Sequence, residues 1–369
     1  MKILEKINPD VNAITPYEPG RPIEEVAREM GLDPDDITKL ASNECAIGTS
    51  PRALEALKAA TVEAFRYPDG GAYHLRSKLA ARYGVAMSQI IVGNGSNEIL
   101  EFVGHCFLSR ETSCVFSAHA FIVYKLVTQL FGAHQLEIPM TPDLVHDVEA
   151  MLAAVRDDTT VVFLCNPNNP TGTMADNDAI YRFMDRVPDH VLVVFDEAYA
   201  EIALAEMPNT RQYVHQKRNV LICRTFSKAY GLAGLRLGYG IGPEPLVSAL
   251  QKARQPFNVN LLAQQAGIAA LDDDEFVARS RDVYRQGKAC FEAACRELNL
   301  PFIPTTANFM LIKVGAGNDV AQALQQRGMI VRPMAGYGLP EYIRPNFGTP
   351  DENERFVRML KEVVCRSGE

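Results

Sequence analysis

Between residues 90 and 241, short apolar runs rich in β-branched residues alternate with longer stretches of helical character. That alternation predicts an α/β fold, with a large domain built on a mostly parallel seven-stranded sheet covered by crossover helices. The predicted strands are Gln89–Val92, Thr112–Phe116, His134–Ile138, Thr160–Cys165, Val191–Phe195, Val220–Cys223 and Leu235–Ile241. Several are almost uninterrupted apolar runs, as strands covered on both faces require. Leu261 to Leu298 reads as long helix, polar on one side, with an acidic break at Asp272–Asp274. From Pro301 the pattern changes to shorter strands at Phe309–Val314, Met329–Pro333 and Tyr342–Phe347, then a closing helix from Asp351. This predicts a small α+β domain that the first forty or so residues join. The expected divisions are 1–42 for an N-terminal arm and part of the small domain, 43–260 for the large domain, and 261–369 for the connecting helix and small domain. The proline-punctuated stretch Tyr17–Pro22 should be extended.

Composition narrows the functions open to such a fold. With 369 residues, 47% apolar and 22% charged, the chain suits an ordinary soluble protein with a sizeable core. A net charge of −8 argues against nucleic acid or an anionic membrane as partner. No apolar run approaches the length of a bilayer-spanning helix, and the N-terminus lacks a signal-peptide core. The eight cysteines are scattered without metal-ligand spacing, so reduced thiols in the cytoplasm are expected and no metal site is.

In sheets of this type ligands bind beyond the carboxyl ends of the strands. Four segments directly follow predicted strands there: Gly93–Asn97, Asn166–Gly172, Asp196–Tyr199 and Thr225–Lys228. The most informative runs from Thr225 to Gly238, with Lys228 beside the hydroxyls of Thr225 and Ser227, then a glycine-rich turn, then Arg236. A lysine that condenses with a carbonyl must be partly desolvated, because only the neutral amine attacks. The hydroxyls and the arginine suit a phosphate dianion, and glycines let the backbone approach it closely. Pyridoxal 5′-phosphate (PLP), an aldehyde that carries a phosphate, meets these requirements together.

Other segments extend that chemistry. Asp196 ends an apolar strand, where its carboxylate suits the pyridine nitrogen, although a helix cap would use the same residue. Such a contact is worth roughly 4 kcal/mol at 4 Å in a moderate dielectric. Val92–Glu98 reads as strand, glycine turn and helix start, and backbone amides at a helix start can hold an anion. The Asn-Pro steps of 166–170 enforce turns. Phe121 offers a flat apolar face to a ring, or simply a core side chain. Arg332 and Arg344 are candidate forks for substrate anions, or surface arginines.

The segment Ser227–Gly238 resembles the lysine motif of fold type I PLP-dependent aminotransferases, S-K-x-x-G-L-A-G-x-R-x-G, at every fixed position. The resemblance implies that Lys228 carries PLP, that Asp196 binds its ring nitrogen, and that Tyr199 and Asn169 bind its phenolic oxygen. It further implies a phosphate cup of Gly95, Ser96, Asn97, Thr225, Ser227 and Arg236, and Phe121 stacked on the ring. Tyr67 would reach across from a second subunit, implying a homodimer. Pro16–Gly20, Lys39–Glu44, Arg66–Gly70 and Val331–Pro340 resemble the histidinol-phosphate aminotransferase branch. That branch implies a substrate site of Tyr17, Arg332 and Arg344, and transamination between L-histidinol phosphate and 2-oxoglutarate. An aromatic amino-acid aminotransferase, a phosphothreonine decarboxylase on the same scaffold and a non-catalytic PLP-binding regulator are the alternatives. Two departures from the branch pattern stand out. Cys45–Gly48 replaces its usual Asn-Pro-Leu-Gly, and Pro345-Asn346 follows Arg344 where β-formers are usual. A proline cannot donate to a strand ladder, so the backbone beside Arg344 should differ.

Overall fold

The computed structural model describes residues 1–17 and 20–366. Glu18 and Pro19, in the middle of the predicted extended stretch, lie outside the described residues. Twelve strands occur among the described residues, beginning with β1 (Thr38–Leu40). A large sheet contains β2 (Ile90–Asn94), β3 (Ser113–Ser117), β4 (His134–Ile138), β5 (Thr159–Cys165), β6 (Leu192–Asp196), β7 (Val220–Thr225) and β8 (Leu237–Ile241). The rest are β9 (Phe302–Ile303), β10 (Leu311–Lys313), β11 (Met329–Pro333) and β12 (Tyr342–Arg344).

The large sheet is seven-stranded in the order β2-β8-β7-β6-β5-β3-β4, and only β8 runs antiparallel to its neighbours. Its inner strands, such as β5 and β6, are largely apolar because both faces are covered. Along β5, Val162 and Leu164 enter one core, while Val161, Phe163 and Cys165 enter the core on the opposite face. Helices on the two faces return the chain so that β5, β6 and β7 all end at one edge.

The second sheet is five-stranded, β1-β11-β12-β10-β9, with β1 parallel to β11 and the other pairs antiparallel. The strand Met329–Pro333 has the expected bounds, while the strands at 309–314 and 342–347 are shorter than the pattern suggests. Residues 342–347 were expected as one strand, but β12 stops at Arg344 because Pro345 has no N–H to continue the ladder. Asn346 instead donates its amide to Leu40 O at 2.9 Å and pairs with Phe309 in an isolated bridge. The stretch 261–298 is two helices, Leu261–Ala270 and Asp274–Glu297. The acidic break between them is a cap, since the Asp273 carboxylate accepts from Phe276 N.

Candidate active site

One cavity of about 420 Å³ collects the strand ends of the large sheet and faces β11 and β12 of the small one. The segment Ser42–Glu44, just after β1, forms part of its wall.

Lys228 lies three residues beyond β7, partly buried, and donates from Nζ to Ser42 O at 3.0 Å. Burial, then the nearby guanidinium of Arg344, pushes its amine down to about 8, and Arg236 adds to this against the opposing pull of Glu44. At neutral to mildly alkaline pH a sizeable fraction of this amine is therefore neutral and nucleophilic. Its Nζ stands 5.9 Å from the centre of the Tyr199 ring. Tyr199 is itself buried, and its hydroxyl accepts from Asn43 Nδ2 at 3.0 Å.

Asp196, the last residue of β6, is 2% exposed. Its Oδ2 accepts from the Tyr124 hydroxyl at 2.8 Å and its Oδ1 from Ala198 N at 3.2 Å. Neither partner is a cation. Burial raises its pKa to about 6 although both hydrogen bonds pull it down. A carboxylate held this way favours a positively charged group in the cavity.

At the opposite end of this floor the chain makes an anion cup. The helix Ser96–Phe107 begins directly after Gly95, whose φ of +80° is a glycine conformation. A Cβ on Gly95 would lie 2.6 Å from Arg236 Nη2, so the missing side chain lets that guanidinium lie over the helix start. Thr225 Oγ1 donates to Ser227 Oγ at 3.0 Å and accepts from Ser227 N at 3.1 Å, which fixes both hydroxyls beside the lysine. Helix-start amides, two hydroxyls and an arginine form a site for a phosphate dianion.

The small sheet supplies a second positive end. Arg332 and Arg344 are direct cross-strand neighbours on β11 and β12. Arg344 is buried, donates to Asn169 Oδ1 and, at 3.0 Å, to Ala41 O, and keeps its Nε without a partner. Arg332 lies 5.6 Å from the ring centre of Tyr17. Like charges directly opposite destabilise a strand pair, and an anion between them reverses that.

Of the residues singled out from sequence, Tyr17, Ser96, Asn97, Phe121, Asn169, Asp196, Tyr199, Thr225, Ser227, Lys228, Arg236, Arg332 and Arg344 line this one cavity. Gly95 sits behind it as the cap of the helix. Tyr67 stands apart from it, 83% exposed and stacked on Phe257 with ring centres 4.8 Å apart. Four participants were not assigned from sequence. Glu44 and Tyr337 line the cavity, and Tyr124 holds Asp196 from behind. Asn43 is buried at φ +54°, a backbone state asparagine tolerates better than most residues. It joins Tyr199 to Asn346, yet its own Oδ1 is buried without a partner. The stretch Lys39–Glu44 did carry a signal for Asn43, as a matched motif without a role.

PLP fits this set. The lysine is desolvated, the buried carboxylate lacks a cation, the cup suits a phosphate, and unpartnered polar atoms of Asn43 and Arg344 occur on residues of the same wall.

Residues 35–360 match the family model for aminotransferase class I and II. A histidinol-phosphate aminotransferase of Akkermansia muciniphila is 50% identical over 364 residues, spanning 99% of this chain and 100% of that one. Histidinol-phosphate aminotransferase 2 of Pseudomonas aeruginosa is 47% identical over 359 residues, 97% of each chain. The solved structure of histidinol-phosphate aminotransferase from Sinorhizobium meliloti, in complex with pyridoxal-5′-phosphate, has a TM-score of 0.88 at 26% identity, covering 99% of this chain and 98% of that one. Aspartate aminotransferase from Thermus thermophilus with maleate shares the fold, with a TM-score of 0.82 at 21% identity, covering 98% and 99%.

Proposed function

The chain belongs to the class I and II aminotransferases, and from that membership we propose that it moves the amino group of L-histidinol phosphate to 2-oxoglutarate with PLP as cofactor. The products are imidazole-acetol phosphate and glutamate, as in histidine biosynthesis. Support comes from the names of relatives up to 50% identical over nearly the whole chain, and from a cavity with two separate anion-holding ends. The second end, the Arg332–Arg344 pair, is the observation that carries the substrate assignment.

When bound, PLP supplies an electron-withdrawing ring that stabilises negative charge at the substrate Cα. Lys228 would hold its aldehyde carbon and Asp196 its ring nitrogen. Asn169 and Tyr199 would flank its phenolic oxygen, and Phe121 would cover one face of the ring. Gly95, Ser96, Asn97, Thr225, Ser227 and Arg236 would hold its phosphate, with Tyr67 of a second copy completing the cup. With its Nζ free, the neutral Lys228 amine would be the base that takes the substrate Cα proton, and its ammonium form would give a proton back. Arg332, Arg344 and Tyr17 orient the donor by its phosphate and the acceptor by its carboxylates, since guanidinium forks accept either anion. We place the enzyme in the cytoplasm, as a homodimer.

Steady-state rates with L-histidinol phosphate and with phenylalanine as donors test this assignment. The expected kcat/KM favours histidinol phosphate by about a hundredfold or more, because a site built for a polar group rejects donors that lack it. Arg332→Met should erase most of that margin. A preference of the parent enzyme for phenylalanine would transfer the assignment to an aromatic amino-acid aminotransferase.

A further inference from the structure

We propose that Tyr124 is a positioning residue whose buried phenol fixes the Asp196 carboxylate against the ring nitrogen of the cofactor. The proposal rests on the PLP assignment above. Tyr124 lies in the first turn of the helix Ile122–Leu130, fully buried, with its amide donating to Phe121 O at 3.1 Å. Its ring lies parallel to that of Phe163 on the neighbouring β5, with centres 4.6 Å and planes 8° apart. The Phe121 ring meets it edge-on at 5.8 Å. These contacts aim the hydroxyl at Asp196 Oδ2, 2.8 Å away.

A phenylalanine would fill the same space and make the same ring contacts. Burying the hydroxyl is costly unless it is bonded, and here its acceptor is a carboxylate, which makes the bond a strong, charge-assisted one. With Ala198 N on Oδ1 and Tyr124 on Oδ2, the plane of the carboxylate is set before any cofactor arrives. The same phenol packs behind Phe121, so one side chain braces both the ring-nitrogen contact and the wall that covers the ring. The other titratable groups around Asp196 are Glu197, Cys165, Cys223 and Tyr199, and Arg224 neutralises Glu197 at 2.6 Å.

The test is PLP titration of the cofactor-free protein, wild type and Tyr124→Phe, by absorbance across pH. Losing one hydrogen bond to a charged group should weaken binding about tenfold or more. The acid limb of the affinity profile should move to higher pH, because Asp196 without the phenol holds its proton more tightly. In an Asp196→Asn background the same substitution should have no further effect, which a merely structural role would not produce. Wild-type affinity with an unmoved acid limb, or losses that simply add, would overturn the proposal. Should Tyr124→Phe fail to fold, 3-fluorotyrosine installed at position 124 replaces it. Its more acidic phenol should move the limb to lower pH, and an unmoved limb again overturns the proposal. If the wild-type protein takes up no PLP at all, the cofactor assignment fails first and this proposal with it.

Discussion

Asp196 and Lys228 are both held in their less favoured surroundings when the cofactor is absent. The carboxyl of Asp196 is raised from 3.8 to about 6, so the folded chain binds its proton more tightly than the unfolded one. Above pH 6 the buried carboxylate therefore costs stability, and the cost fades as pH falls from 6 towards 3.8. Its size is about 3 kcal/mol. Lys228 is lowered from 10.5 to about 8, so its cost is present below pH 8 and fades as pH rises towards 10.5. Asp196→Asn should thus raise the melting temperature of the cofactor-free protein at pH 8 while sharply weakening PLP binding. A lower melting temperature would show that the carboxylate contributes to folding rather than opposing it. That Lys228, Asp196 and Asn169 belong together in one candidate site was legible in the sequence, because the proposed chemistry dictates residue type and a motif surrounds each one. Tyr124 and Asn43 were not, because their partners Asp196 and Tyr199 lie 72 and 156 positions away along the chain. Only the fold makes them neighbours.

Among the elements, the close approach of β8 to the helix Ser96–Phe107 decides whether the phosphate cup exists. A Cβ on Gly238 would stand 2.3 Å from Ser96 N and 2.5 Å from Gly95 C, against backbone that cannot step aside. Gly238→Ala should cost about 1–3 kcal/mol in denaturant unfolding through overpacking, and PLP binding should weaken with it. Unchanged PLP affinity would separate the cup from this contact. The large-sheet strands could be found from sequence to within a residue or two because strands covered on both faces must be apolar throughout. Pairing was harder to see. That β8 runs against its neighbours and that β1 joins β11 depends on long-range contacts, which local pattern does not encode. In the small sheet one strand was overdrawn at Pro345, where apolar pattern and hydrogen-bonding capacity disagree.

For the molecule as a whole, Val62, Phe65, Tyr67, Tyr73 and Phe257 leave large apolar surfaces exposed on the 40.8 kDa chain. Exposed large apolar side chains of this kind suit an interface with a second copy. Sedimentation should give a species of about twice the chain mass. Tyr67→Ala should raise the PLP dissociation constant without touching the lining of the mutated chain's own cavity. A monomer at micromolar concentration that binds PLP with full affinity would refute the shared site. The cavity, with arginines at both ends, fits a small anionic donor and acceptor. All of this depends on where the cofactor is attached. The direct measurement is borohydride reduction of the PLP-loaded enzyme followed by peptide mass mapping. A pyridoxyl group on Nζ of Lys228 is the expected result, and label on any other lysine, or on none, would contradict it.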